Sequence, residues 1–211
     1  GRLFLYFSGH GFSLDGDDTP SAALFSADSL GEGQDNLPGT VYAQAVKRRG
    51  LFKEVVLIMD CCRDVLSQYK YDNSPLSTLE HTLSETTRWF ALYAAPKRGK
   101  SQERELYSDG KVVGLMTDAL MRALKEAPCD VAGRVNARLV AATMVYNWPK
   151  WYKVTPMPPA PRAVAPDMAI GDIYFQSQRK LVPVLFSSTT ALPTGTELKL
   201  RSDLINAAGE V

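Results

Sequence analysis

Strong charge of either sign is missing from this chain. Its 211 residues carry 24 Lys and Arg against 23 Asp and Glu, a formal net charge of +1. That balance supplies no general pull toward nucleic acid or an acidic membrane surface, so neither is expected as a partner. Long apolar runs are missing too. None reaches the roughly 18 residues needed to span a bilayer, and no signal peptide is visible. Cysteine is scarce, with Cys61, Cys62 and Cys129 alone. Three cysteines do not make a disulfide framework, and the neighbours Cys61 and Cys62 do not easily reach the geometry of a bridge to each other. A reducing, cytoplasmic setting is the expectation. Histidine is scarcer still, with His10 and His81. Internal repeats are absent. What remains is an ordinary globular composition, 45% hydrophobic and 22% charged, at a length that suits one domain and a small extra piece.

Hydrophobic patterning suggests the elements. "RLFLYF" (2–7) reads as a buried strand that stops at Ser-Gly. Residues 13–40 are rich in Gly, Asp, Ser and Pro and read as loop, with "AALFSA" a short strand. Residues 40–52 read as a helix capped by Thr40 and stopped by Gly50, and "EVVLIM" (54–59) as a strand apolar on both faces. Two strands joined by a helix predict a parallel crossover. Residues 63–88 read as a long surface loop and "RWFALYAA" (88–95) as a third strand ending at Pro96. Residues 97–111 read as charged loop, 114–128 as the clearest helix and 131–146 as another. Six prolines in 148–166 predict an extended crossing segment without a regular element. "AIGDIYF" (169–175) reads as a short strand, and 179–211 as the start of a small β module, leaving 1–178 as the main domain. The chain opens without Met and inside a strand, so it is expected to be a fragment with further domains in the full-length protein.

Chemistry concentrates at two places. In an α/β sheet, sites gather at the carboxyl ends of parallel strands. "FSGHGF" (7–12) puts His10 after one strand, and "VVLIMDCCRD" (55–64) puts Cys61 and Cys62 after another. His10 precedes Cys62 by 52 residues. A thiol needs a nearby base to become a useful thiolate at neutral pH, and an imidazole supplies one and later protonates a leaving amine. Gly9 and Gly11 allow sharp turns on each side of His10. The N–H groups of Gly11 and Cys62 suit the oxyanion of an acyl-transfer intermediate. Other candidates read blandly. His81 falls in polar loop, and His10 with Cys61, Cys62 and Cys129 lacks the paired spacing of a zinc site. "DGDD" (15–18) opens like a calcium loop, but no regular ligands or closing Glu follow.

"YFSGHG" and "LIMDCCRD" resemble the His-Gly and Cys blocks of the caspase-like cysteine peptidases, which include caspases and metacaspases. Caspases themselves carry a histidine about 50 residues before a Cys-Arg, so the spacing matches a known pattern. "WFALYAAPKRGKSQERE" resembles the strand and substrate loop of the same family, with Ser101 and Glu103 as its small residue and acid, and "GLMTDALMRALKE" resembles the helix that follows. The likeness covers roughly residues 2–145, with the first strands of the fold expected before residue 1.

The resemblance implies an α/β, caspase-like three-layer sandwich with a mostly parallel central sheet. It implies a bacterial-type peptidase C14 member, and by analogy a role in defence or regulated cell death. It makes Cys62 the nucleophile, since both Asp60 and Arg63 select it, and leaves Cys61 where a small residue usually stands. His10 becomes the base and acid, Gly11 and Cys62 the oxyanion hole, and Asp60 with Ala95 the substrate-binding residues. Asp60 argues for Arg or Lys at P1, while Lys97, Arg98 and Lys100 argue the other way. Asp64 departs from the family pattern and is expected either to raise the thiol pKa or to bind Arg63. No cofactor or metal is expected, although calcium regulation is known among metacaspases. The partner is then a protein or peptide substrate. The alternatives are a catalytically silent scaffold and another acyl-transfer enzyme with the same dyad.

Overall fold

Five apolar residues in unbroken succession, Val55 to Met59, call for a strand covered on both faces, and that strand is the centre of the molecule. A computed structural model describes residues 1–14, 21–26, 36–66, 70–71, 81–107 and 109–177. The first half runs β1 (Arg2–Gly9), β2 (Gly11–Ser13), β3 (Ala23–Phe25), β4 (Asn36–Leu37), α1 (Gly39–Arg48), β5 (Glu54–Cys61) and β6 (Asp64–Val65). A short 3-10 turn (Thr82–Thr86) leads to β7 (Arg88–Tyr93). Then come β8 (Glu103–Glu105), β9 (Val112–Gly114), α2 (Leu115–Glu126), β10 (Arg134–Asn136), α3 (Ala137–Trp151), β11 (Arg162–Val164) and β12 (Tyr174–Gln176).

The main sheet has the order β1-β5-β7-β11. The first three strands are parallel and β11 closes the row antiparallel to β7. Successive side chains on a strand face opposite ways, and β5 uses that alternation to build two cores. Val55, Leu57, Met59 and Cys61 join Ala91 and Tyr93 of β7 in a cluster with Ala43 of α1. Val56 joins Phe90 and Leu92 in a second cluster with Leu115, Met116, Ala119 and Ala123 of α2 and Val140 and Met144 of α3. The result is a mixed α/β arrangement with α1 on one face of a mostly parallel sheet and α2 and α3 on the other. Short strands in the order β4-β3-β2-β6 form a second sheet at the carboxyl end of β1 and β5.

Several expectations need correction. Strand β1 is not buried: Phe4 and Tyr6 are 54% and 51% exposed. It is an edge strand among the described residues, and an apolar run does not by itself distinguish edge from centre. Thr40 does not cap α1. Pro38 holds that position without a side-chain bond, and Thr40 turns its hydroxyl to the Ala22 N–H at 3.0 Å and the Tyr93 hydroxyl at 3.1 Å. Residues 97–111 are not only loop, since β8 and β9 pair as a hairpin. The helix expected over 131–146 starts at Ala137, where Asn136 accepts from the Arg138 N–H at 2.8 Å, and it runs through Pro149 to Trp151. Pro149 removes one intrahelical donor, and the last turn is held by burial of Trp148 and Tyr152, with the Trp148 indole N–H donating to the Pro158 carbonyl at 2.9 Å and the Tyr152 main-chain N–H to the Trp148 carbonyl at 3.0 Å. The proline-rich segment carries a regular element after all. β11 lies between Pro161 and Pro166 at the sheet edge, where proline is tolerated. The β module expected over 179–211 lies outside the described residues.

Because Leu57 is fully buried at the centre of this arrangement, Leu57→Ala is expected to cost about 2–5 kcal/mol in urea denaturation. Phe4→Ala on the exposed edge is expected to cost less than half as much.

Candidate active site

Parallel pairing of β1 with β5 runs residue for residue, from Arg2 opposite Glu54 to Gly9 opposite Cys61. His10 and Cys62 are each the next residue, so they leave adjacent strands at the same level, at the carboxyl end of the sheet. Neighbouring strands lie about 4.8 Å apart, so the main chains of these two residues leave the sheet side by side. Gly9 supports the exit of His10 with φ of +148°, a conformation that suits glycine. His10 is exposed, and its carbonyl accepts from the Phe25 N–H at 2.9 Å. Gly11 serves differently from the expected turn. A Cβ there would stand 2.6 Å from Cys61 Sγ and 2.8 Å from the Ala23 carbonyl oxygen, so the glycine permits close packing over Cys61.

The adjacent cysteines differ in kind. Cys61 is the last residue of β5, points into the α1 core and is fully buried. Burial, reinforced by the charges of Cys62 and Asp60, pushes its thiol up to about 12. A thiol that remains protonated is a poor nucleophile. Cys62 is past the strand and half-buried. Its Sγ lies 3.7 Å from the Ser101 hydroxyl and 3.9 Å from the Ser101 carbonyl oxygen. Sequence reasoning singled out Ser101 only as the small residue of a loop; its contact with the thiol joins positions 39 residues apart.

Asp60 is buried and faces the opposite side from Cys61. Its carboxylate accepts from the Thr117 hydroxyl at 2.5 Å, and Thr117 in turn lies 3.0 Å from the Tyr6 hydroxyl. Gly114 packs directly over it, with room for no side chain, since a Cβ would stand 2.7 Å from Asp60 Oδ2. Helix α2 has no side-chain cap of its own, so Asp60 supplies an acceptor to its first turn from another element. Burial raises the Asp60 pKa and the Glu103 charge adds to the rise, against the lowering effect of Thr117.

Arg63 is the residue whose importance the sequence concealed. Its buried guanidinium donates to the Ser21 carbonyl at 2.9 Å and the Ala95 carbonyl at 3.2 Å, and lies 4.8 Å from the centre of the Tyr93 ring. Its main chain is also tied: its N–H donates to Gly99, and its carbonyl accepts from the Arg98 N–H and the Ser13 hydroxyl. One residue thus ties the segment before β3 and the end of β7 through its side chain, and the 96–99 turn through its main chain. No local pattern announces this, because its carbonyl partners lie 42 and 32 residues away. Ala95 is buried, with its carbonyl engaged by Arg63. Asp64 sits in β6 opposite Phe12.

The remaining candidates lie apart from this cluster. His81 is exposed and its Nδ1 accepts from the Leu83 N–H, capping the 3-10 turn. Cys129 packs against the α2–α3 core. Among the described residues no three or more His, Cys, Asp and Glu gather to hold a metal ion, and "DGDD" at 15–18 lies outside them. No described helix is long and apolar enough to cross a membrane. No family model and no curated protein matches the chain.

Asp60 generates a pH prediction. Its folded pKa is raised above the ordinary 3.8. Between those two values the folded state binds more protons than the unfolded one, so stability falls as pH rises through the window. Asp60→Asn is expected to flatten that part of the stability–pH curve in urea titrations, while the wild type gains stability as pH drops toward 3.8.

Proposed function

We propose that the chain is a cysteine endopeptidase of the caspase-like kind, with Cys62 as nucleophile and His10 as general base and acid. The observation that carries this reading is the in-register exit of His10 and Cys62 from adjacent parallel strands, with the neighbouring Cys61 buried and protonated. The layered fold, α1 on one face and α2 with α3 on the other, agrees with a caspase-like sandwich.

In the proposed reaction His10 takes the proton of the Cys62 thiol, and the thiolate attacks the scissile carbonyl carbon. The N–H groups of Gly11 and Cys62 stabilise the oxyanion that forms. As the C–N bond breaks, the imidazolium gives its proton to the leaving amine. Water, deprotonated by the imidazole, then hydrolyses the thioester and restores the thiol. A basic P1 residue is favoured. Glu103 lies close enough to Asp60 for its charge to raise the Asp60 pKa, and an Arg or Lys side chain arriving between them relieves that repulsion. Lys97, Arg98 and Lys100 belong instead to the turn and strand approach anchored on Arg63.

A fluorogenic peptide library split by Arg, Lys and Asp at P1 tests the reading on the full-length protein. Cys62→Ala is expected to lower kcat/KM by about 10⁴-fold or more, and Cys61→Ala by no more than about threefold, as expected for a packing residue. Asp60→Asn and Glu103→Gln are each expected to weaken cleavage after Arg by about tenfold, the effect of one lost charge contact. A wild type that cleaves nothing, with or without calcium, returns the fold to the role of a silent scaffold.

A further inference from the structure

Asp118 in the first turn of α2 is nearly closed to solvent, its side chain only 6% exposed, and the proposed reaction gives it no task. Three donors converge on it. Tyr107 donates its hydroxyl to Oδ1, and the Tyr152 hydroxyl and Arg122 Nε reach Oδ2 at 2.5 Å and 2.7 Å. Arg122 is braced in turn, 5.9 Å and 5.8 Å from the ring centres of Trp151 and Tyr152. Tyr152 and Arg122 belong to the helical layer. Tyr107 does not. It lies in the connection of the β8–β9 hairpin, and it is 46% exposed.

That hairpin is the element beside the thiol. The segment leading into it places Ser101 against Cys62, and its first strand begins with Glu103, the acid that acts on Asp60. All three residues of β8 are exposed, so no core burial holds the strand itself. Apart from its ladder with β9, the described ties of this region to the helices are the bond from the Leu115 N–H to the Gln102 carbonyl at 2.9 Å, the packing of Leu106 and the Tyr107–Asp118 bond. A hydroxyl donating to a buried carboxylate is among the stronger hydrogen bonds a protein makes. It is also directional, which packing of one leucine is not.

We infer that Asp118 is a positioning residue that latches the substrate hairpin through Tyr107 and so holds Ser101 and Glu103 in register with Cys62. The inference rests on the peptidase reading for its catalytic consequence but not for the latch itself. Tyr107→Phe is the deciding variant, because it keeps the ring and leaves Asp118 satisfied by Tyr152 and Arg122. Asp118→Ala strands three donors and is expected to lower stability as well. Two readouts are needed on the full-length protein: hydrogen exchange of residues 101–113, and KM against kcat on the best P1 peptide. The expected result for Tyr107→Phe is faster exchange confined to 101–113, KM raised about tenfold, the factor for one charge-assisted hydrogen bond, and kcat within about threefold of wild type. Loss of folded protein would instead lower apparent kcat at constant KM. Unchanged exchange and unchanged KM overturn the latch. Faster exchange in a protein whose wild type cleaves no peptide sustains the latch and overturns the peptidase reading.

Discussion

The pairing of β1 with β5, Gly9 opposite Cys61, sets the level at which His10 and Cys62 leave the sheet, and the loops at its carboxyl end are arranged around it. A slip of one residue would turn every side chain of β5 to the other face of the sheet. Val55, Leu57, Met59 and Cys61 would leave the α1 core, and Val56 would leave the α2–α3 core. Because both faces are covered, the register is specified by nearly every buried side chain of the strand. The precision of the site is therefore inherited from the core.

The same alternation gives two adjacent cysteines opposite properties. Cys61 belongs to the pleat and is packed beneath Gly11, where burial keeps its proton on. Cys62 is one residue past the pleat, where the chain is no longer committed to either core and the side chain meets Ser101. Asp60, one residue before, faces α2 and serves two ends at once. It answers the uncapped first turn of the helix, and it stores a raised pKa that a cation could lower. Three successive positions thus have three environments, set by where a strand of eight residues stops.

Loops beside a sheet's carboxyl end need anchors, because their main chain lacks a ladder. Arg63 provides one through carbonyls and an aromatic face, with its charge spread over a planar group that suits several neutral acceptors. Asp118 provides another on the far side of the hairpin, through hydroxyl and guanidinium donors. One is a buried cation meeting oxygens, the other a buried anion meeting donors. Between them lies the stretch from Arg63 to Asp118 that contains the 96–99 turn, Ser101 and Glu103.

The local pattern was enough to read β5, β7 and α2, since an unbroken apolar run and a clean helical stripe are signals carried within a single element. It was enough, too, to nominate His10 and Cys62, because each directly follows an apolar strand. The chain alone did not distinguish the edge position of β1 from a buried one, nor reveal β11 among its prolines or the end of α3 beyond Pro149. Those outcomes depend on which neighbour supplies a ladder or a covering side chain. The roles of Arg63, Thr117, Ser101 and Asp118 were likewise invisible. Their partners lie far along the chain or take ordinary residue types, and hydrogen bonds of that kind leave no periodicity in a sequence. Sequence determined which residues carry reactive groups and which segments must be covered. Tertiary structure decided which of the two thiols is buried and which carboxylate is engaged, because burial and hydrogen bonding are properties of the space around a residue and not of its position in the chain.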